Sequence, residues 1–120
     1  MKENNKDLLE IIQRCGLDES EAKVYLALLT LGNGTIHQAA KEAGINRTSS
    51  YAVIERLKTK GLISNIKKVG KTYLSPVKPQ VFLQIQKDNC ANLEKHIDDL
   101  NYLLAIARKS PGVRFYEGKE

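Results

Sequence analysis

Little in this chain suits catalysis or metal binding. It has two histidines, His37 and His96, 59 positions apart, and two cysteines, Cys15 and Cys90. Neither pair has the close spacing of a zinc or disulfide framework. There is also no nucleophile-elbow serine and no glycine-rich phosphate loop. Thr48, Ser49 and Ser50 have no base near them in sequence, and a helix start accounts for them. An enzyme is therefore not expected, nor a cofactor or a metal. No apolar run approaches the roughly 18 residues that a bilayer span requires, and the opening MKENNKDLLE has no signal-peptide core. The expectation is a cytoplasmic chain with no membrane partner, whose thiols stay reduced as small buried hydrophobes. Its 120 residues leave room for one domain and exclude a two-domain enzyme.

What the chain has in excess is positive charge, and it is localised. Residues 1–34 carry four Lys/Arg against six Asp/Glu, and residues 80–120 carry six against six. Residues 35–79 carry nine (Lys41, Arg47, Arg56, Lys58, Lys60, Lys67, Lys68, Lys71, Lys78) against Glu42 and Glu55, a net of +7. A like-charged cluster that dense weakens the folded state unless a polyanion neutralises it, which points to phosphate; the bland alternative is a solvated basic surface.

The pattern along the chain is helical first. Leu8, Ile11, Ile12 and Cys15 share one face of a helix ending at Gly16. Asp18 with Glu21 has the form of a capping box and opens AKVYLALLTL, whose apolar residues wrap most of the way round, as a central helix requires. Thr35 with Gln38 repeats the cap before a short helix stopped at Gly44. Asn46 caps a fourth helix, RTSSYAVIERLKTK, closed by Gly61. LISNIKK, Val69, Gly70, Lys71 and TYLS then read as a two-stranded hairpin with Lys67, Lys68 and Lys71 at its tip. From Pro79 to about Lys109 no breaker interrupts a long helix, and VRFYE beyond Pro111 has strand character.

Two short helices joined by a glycine-containing turn and followed by a basic hairpin make a helix-turn-helix with a wing. In the second helix Ser50, Ile54, Leu57 and Val53 fall on the core side, beside Ile45. Arg47, Thr48, Ser49, Tyr51 and Ala52 fall on the other, and such short polar groups let a helix enter a major groove. Arg47 suits a bidentate contact to guanine or a clamp on a backbone phosphate. Tyr51 suits either a phosphate contact or packing against the wing. The expected DNA-binding set is Asn46, Arg47, Thr48, Ser49, Tyr51, Arg56, Lys58, Lys60, Lys67, Lys68 and Lys71. His37 is expected to be an ordinary surface histidine.

The run from Gly16 to Ile63 (GLDESEAKVYLALLTLGNGTIHQAAKEAGINRTSSYAVIERLKTKGLI) resembles the winged-helix domain of TrmB-type transcriptional regulators. The likeness continues through the wing and long helix to VRFYEGKE, and EAKVYLALL and VRFYEGKE are its more specific parts. The resemblance implies that Arg47 to Lys60 is the recognition helix, that the long helix joins two subunits, and that VRFYEG leads into an effector domain. The chain ends at Glu120, so no sugar site is assigned, and a small-molecule effector is expected only of a longer form.

Leu83, Gln86, Cys90, Leu93, Ile97, Leu100, Leu104 and Ala107 follow alternating spacings of three and four, a heptad seam that is cleanest from Leu93 onward. Leu83, Cys90, Leu93, Ile97, Leu100 and Leu104 are its expected dimer contacts, against the alternative of a helix folded back on the core. His96 borders that seam. The expected fold is therefore mainly α with a small β-hairpin: a winged helix-turn-helix over residues 1–78, a dimerisation helix over 79–110 and a strand-like segment over 111–120. The expected function is promoter binding on double-stranded DNA as a homodimer. A winged helix used only for protein–protein interaction is the alternative from another class.

Overall fold

Each predicted helix start is realised by the side chain the sequence puts there. In the computed structural model, which describes residues 2–109, the elements run α1 (Lys2–Arg14), α2 (Glu19–Leu31), α3 (Ile36–Ala43), α4 (Arg47–Thr59), β1 (Ile63–Lys68), β2 (Lys71–Pro76), α5 (Pro79–Lys95) and α6 (Ile97–Lys109). Asp18 accepts from the Glu21 backbone N–H at 2.8 Å while the Asp18 N–H donates to Glu21 Oε1 at 2.9 Å. Thr35 and Gln38 repeat that reciprocal pair at 3.1 and 2.9 Å, and Asn46 Oδ1 accepts from the Ser49 N–H at 2.8 Å. Such caps are worth about 1 kcal/mol each because they satisfy donors that a helix start leaves free. Gly44 ends α3 at φ 74°, where a side chain would be strained.

The apolar all-round character of α2 makes it the centre of the first unit. Ala22, Val24, Tyr25, Ala27 and Leu28 are buried along it, and α1, α3, α4 and β2 all pack against it. Val53, Ile54 and Leu57 of α4, Ala39 and Ala40 of α3, and Leu62, Ile63 and Leu74 around the hairpin complete the core. Ser50 is buried as well, and its hydroxyl donates to the Arg47 carbonyl at 2.6 Å, so it adds no unpaired group to the core. The Tyr25 hydroxyl donates to the Val77 carbonyl at 2.8 Å, and its ring lies 5.6 Å from that of Phe82.

The hairpin pairs antiparallel with Lys68 opposite Lys71, Lys67 opposite Thr72 and Ile66 opposite Tyr73. Gly34 adds a one-residue third strand: its N–H donates to Leu74 O at 3.0 Å and its carbonyl accepts from the Leu74 N–H at 2.7 Å. This pair of bonds ties the wing to the loop before α3.

The chain divides into two compact units, one through Phe82 and one from Leu83 onward. The long helix departs from the sequence expectation, because it is interrupted at His96 rather than continuous. The His96 Nδ1–H donates to the Asn92 carbonyl at 2.9 Å, which is the acceptor the His96 backbone N–H would use in a regular helix. That N–H turns instead to the Leu93 carbonyl at 3.1 Å. Leu83, Leu93, Ile97, Leu100 and Leu104 are exposed, and no residue of α6 is buried. Cys90 is exposed and Cys15 half-buried, so the cysteines are not the fully buried hydrophobes expected of them. The strand expected of VRFYE lies outside the described residues.

The two-residue turn between β1 and β2 places Val69 at φ 50° and Gly70 at φ 78°. Positive φ at both centre positions matches the twist of a hairpin, but a β-branched residue is poorly suited to it. Val69 is also fully exposed, so no packing offsets that cost. Val69→Asn is expected to raise stability by about 1 kcal/mol. Urea unfolding of the two proteins checks this, and an unchanged midpoint contradicts it.

Candidate nucleic-acid interface

Helix α4 carries two different surfaces along its length. Its inward face, Ser50, Val53, Ile54 and Leu57, is buried as the helical spacing requires. At its amino end Arg47, Thr48, Ser49, Tyr51 and Ala52 are all exposed. Arg47 forms no ion pair among the described residues. Asn46 caps the helix as its position predicts, with its side-chain oxygen accepting from the Ser49 N–H, and its amide nitrogen has no partner in that cap. Tyr51 is 47% exposed, which leaves its ring substantially open to solvent.

The wing adds Lys67, Lys68 and Lys71, all exposed. Lys68 and Lys71 are directly paired across the turn. Like charges opposite one another in a ladder are destabilising, and a bound anion would reverse the sign of that contribution.

Toward the carboxyl end of α4 the expected basic residues already have partners within the fold. Arg56 and Lys60, expected among the phosphate contacts, are directed to a buried carboxylate, Glu21 of α2. Arg56 Nε donates to Glu21 Oε2 at 2.9 Å and Lys60 Nζ donates to Glu21 Oε1 at 2.7 Å. The Arg56 fork also reaches Asp18 at 3.2 Å, and Lys60 donates to the Gly16 carbonyl at 3.1 Å. The Glu21 side chain is only 2% exposed. Such a carboxylate persists in a core only when charge and hydrogen bonds compensate its lost hydration. Lys58 is paired more loosely, with the exposed Glu55 at 3.3 Å. A signal for this cluster was present in the sequence. Glu21 sits on a helix apolar nearly all round, and Arg56 and Lys60 are four residues apart on one side of another helix, although this spacing does not name Glu21 as their partner.

Burial by itself would push the Glu21 carboxyl up. Hydrogen bonds from Lys60, the Asp18 backbone and Arg56, with the Lys60 charge, outweigh it and hold the carboxyl below its ordinary range.

A helix-turn-helix braced in this way, followed by a paired basic wing, is the winged-helix DNA-binding domain of transcriptional regulators. The chain belongs to the family described as sugar-specific transcriptional regulator TrmB, which matches residues 12–80. It is 32% identical over 91 residues to the HTH-type sugar sensing transcriptional regulator TrmBL1 of Pyrococcus furiosus, a match covering 75% of this chain and 26% of that protein. It is 39% identical over 61 residues to the uncharacterized protein YrhO of Bacillus subtilis, covering 51% of this chain and 21% of that one. Among solved structures, TrmBL2, an archaeal chromatin protein, superposes with a TM-score of 0.73 at 20% identity, over 98% of this chain and 46% of its own. A MarR family transcriptional regulator from Silicibacter pomeroyi gives a TM-score of 0.53 at 17% identity, over 83% of this chain and 65% of its own. These two likenesses concern the fold. The chain spans only about a quarter of the curated relatives it matches.

Replacing Glu21 by Gln is expected to lower stability at pH 7 by about 2 kcal/mol, less than for a fully enclosed pair because both cations reach solvent. The unfolded chain takes up a proton at Glu21 near pH 4.5, whereas the folded one does so only at lower pH. The glutamate's contribution is therefore complete above the ordinary value and is lost as pH falls through the lowered folded value. Urea unfolding from pH 7 to pH 3 should show the two proteins converging on the acid side. A constant gap across that range contradicts the assignment.

Proposed function

We propose that this chain is a DNA-reading element that acts as a homodimer in the cytoplasm, with α4 in the major groove and the wing on the phosphate backbone. The observation that carries this reading is the exposed amino end of α4, where Arg47, Thr48 and Ser49 stand clear of the core beside a hairpin of opposed lysines. Arg47, Thr48 and Ser49 read base edges, with Asn46 and Tyr51 at the margin of the contact. Lys67, Lys68 and Lys71, with Lys58, meet phosphates and supply most of the affinity. Arg56 and Lys60 act indirectly, by holding α4 in place through Glu21.

The proposed organisation keeps a winged helix-turn-helix over residues 1–78, the dimerising helical segment over 79–110 and the start of an effector domain over 111–120. Leu83, Cys90, Leu93, Ile97, Leu100 and Leu104 would meet a second copy. They are exposed along α5 and α6, and an apolar row of that spacing is stabilised when a partner covers it. Two copies match two half-sites about 34 to 36 Å apart, or a multiple of that. Sugar sensing is named for TrmBL1, most of which lies outside the match; an effector is proposed here only for a longer form of this chain.

A second reading, a protein interaction module without DNA, is favoured by Tyr102, Leu103 and Ile106, which are also exposed on α6 but lie outside the seam.

Duplex titration separates the two. With about six phosphates neutralised per dimer, log K should fall with log salt at a slope of about −5. Joint replacement of Lys67, Lys68 and Lys71 by Glu should weaken binding about a hundredfold or more. A flat salt response, or undiminished binding by the variant, removes the DNA reading. The solution mass should be twice 13.4 kDa for the unmodified chain and fall to 13.4 kDa in Leu93→Asn/Leu100→Asn. A monomeric unmodified chain removes the dimer.

A further inference from the structure

One cavity of the first unit is explained neither by the core nor by a convex duplex resting on α4. It is a cleft of about 320 Å³ at the root of the wing, bounded by the start of α3, one side of α4 and the two hairpin strands. Its lining combines two kinds of surface. Arg47 and Lys58, three turns apart along α4, both line it, and Thr35 and His37 line it from the start of α3. The half-buried Ile36 gives it an apolar wall above the buried Leu74, while Asn65 and Thr72 supply exposed amide and hydroxyl groups. No carboxylate lines it.

We propose that this cleft binds a small organic oxyanion, a phosphate ester or carboxylate with an apolar body, and that such a ligand excludes DNA from the amino end of α4. The composition follows from the lining. A cleft of this volume with an apolar wall and a few convergent polar groups is the usual form of a small-molecule site. A phosphate alone would leave the half-buried Ile36 uncovered. A DNA backbone, convex and polar, would meet Arg47, Asn65 and Thr72 at the rim without covering that wall. Arg47 is the principal anchor, because it has no ion-pair partner among the described residues and its fork grips an oxyanion with two hydrogen bonds. Lys58 is partly neutralised by Glu55 and contributes less. Since Arg47 is also the residue proposed to read DNA, ligand and duplex compete for it. That competition rests on the DNA-binding reading, whereas the pocket does not.

The test uses phenyl phosphate and inorganic phosphate as probes of the full chain, at constant ionic strength, followed by backbone amide NMR shifts. Phenyl phosphate should saturate, with shifts concentrated at Ile36, Arg47, Thr72 and Leu74, and should bind about tenfold tighter than inorganic phosphate through burial of one ring face. Arg47→Gln should abolish saturation and Lys58→Gln should weaken it by a smaller factor. Circular dichroism confirms that both variants fold, and the comparison of the two probes on the unmodified chain needs no variant. In a second arm phenyl phosphate should displace a fluorescent duplex at concentrations where it fills the cleft. Equal affinity for both probes overturns the proposal. So do shifts spread over the wing lysines, or cleft shifts produced by duplex and by neither small anion; the last would make the cleft a DNA phosphate subsite. Saturable phenyl phosphate binding by a chain that binds no duplex would sustain the pocket while removing the DNA reading and the competition with it.

Discussion

The placement of α4 depends on one buried carboxylate. Glu21 closes the capping box that starts α2 and also receives Arg56 and Lys60 from α4. The same side chain therefore fixes where the central helix begins and where the carboxyl half of the second helix lies against it. Hydrophobic contact at Val53, Ile54 and Leu57 is not directional by itself and leaves the rotation and register of α4 less tightly set. Directional bonds of 2.7 and 2.9 Å to a group that cannot be left unpaired remove that freedom. The amino half of the helix makes no comparable inward ion pair; Ser50 and Val53 bury its inner side while Arg47, Thr48 and Ser49 stay exposed.

This arrangement separates what was legible in the sequence from what was not. Asp18 with Glu21, Thr35 with Gln38, Asn46, and Gly44 after α3 act within a few residues of themselves, so their roles could be read from spacing. The hairpin was legible for the same reason, since Val69 and Gly70 separate two β-prone runs. The inward face of α4 followed from period alone. The partners of Arg56 lie 35 and 38 residues away, and no local rule assigns them. A cation pattern in a sequence does not distinguish a charge that awaits a ligand from one already satisfied by the fold. The interruption at His96 was missed because histidine does not break helices by propensity. It does so here through a side-chain bond to the carbonyl its own backbone needed.

The wing shows the opposite arrangement of charge. Lys68 and Lys71 face one another across a turn that places a valine in left-handed backbone. Both features work against the hairpin, and what anchors it lies at the other end, where Leu74 is buried and shares two backbone bonds with Gly34. A hairpin fixed at its root with repulsion at its tip has its least stable part where a polyanion would arrive. Neutralising the lysines then orders the tip instead of straining it.

The distribution of charge read from sequence segments changes accordingly. The net +7 of residues 35–79 includes Arg56 and Lys60, whose counter-charges, Asp18 and Glu21, belong to the acidic segment before it. The apparent polarity between the two segments is thus partly an internal ion cluster and exerts little field outside the molecule. Lys58 is offset in turn by Glu55 on its own helix. What remains uncompensated is concentrated at Arg47 and at the three wing lysines, with Lys41 and Lys78 exposed elsewhere. Ionic attraction from this unit should therefore arise mainly from the start of α4 and the wing tip. The carboxyl half of the same helix is electrostatically quiet, because its charge is used to hold the helix in place.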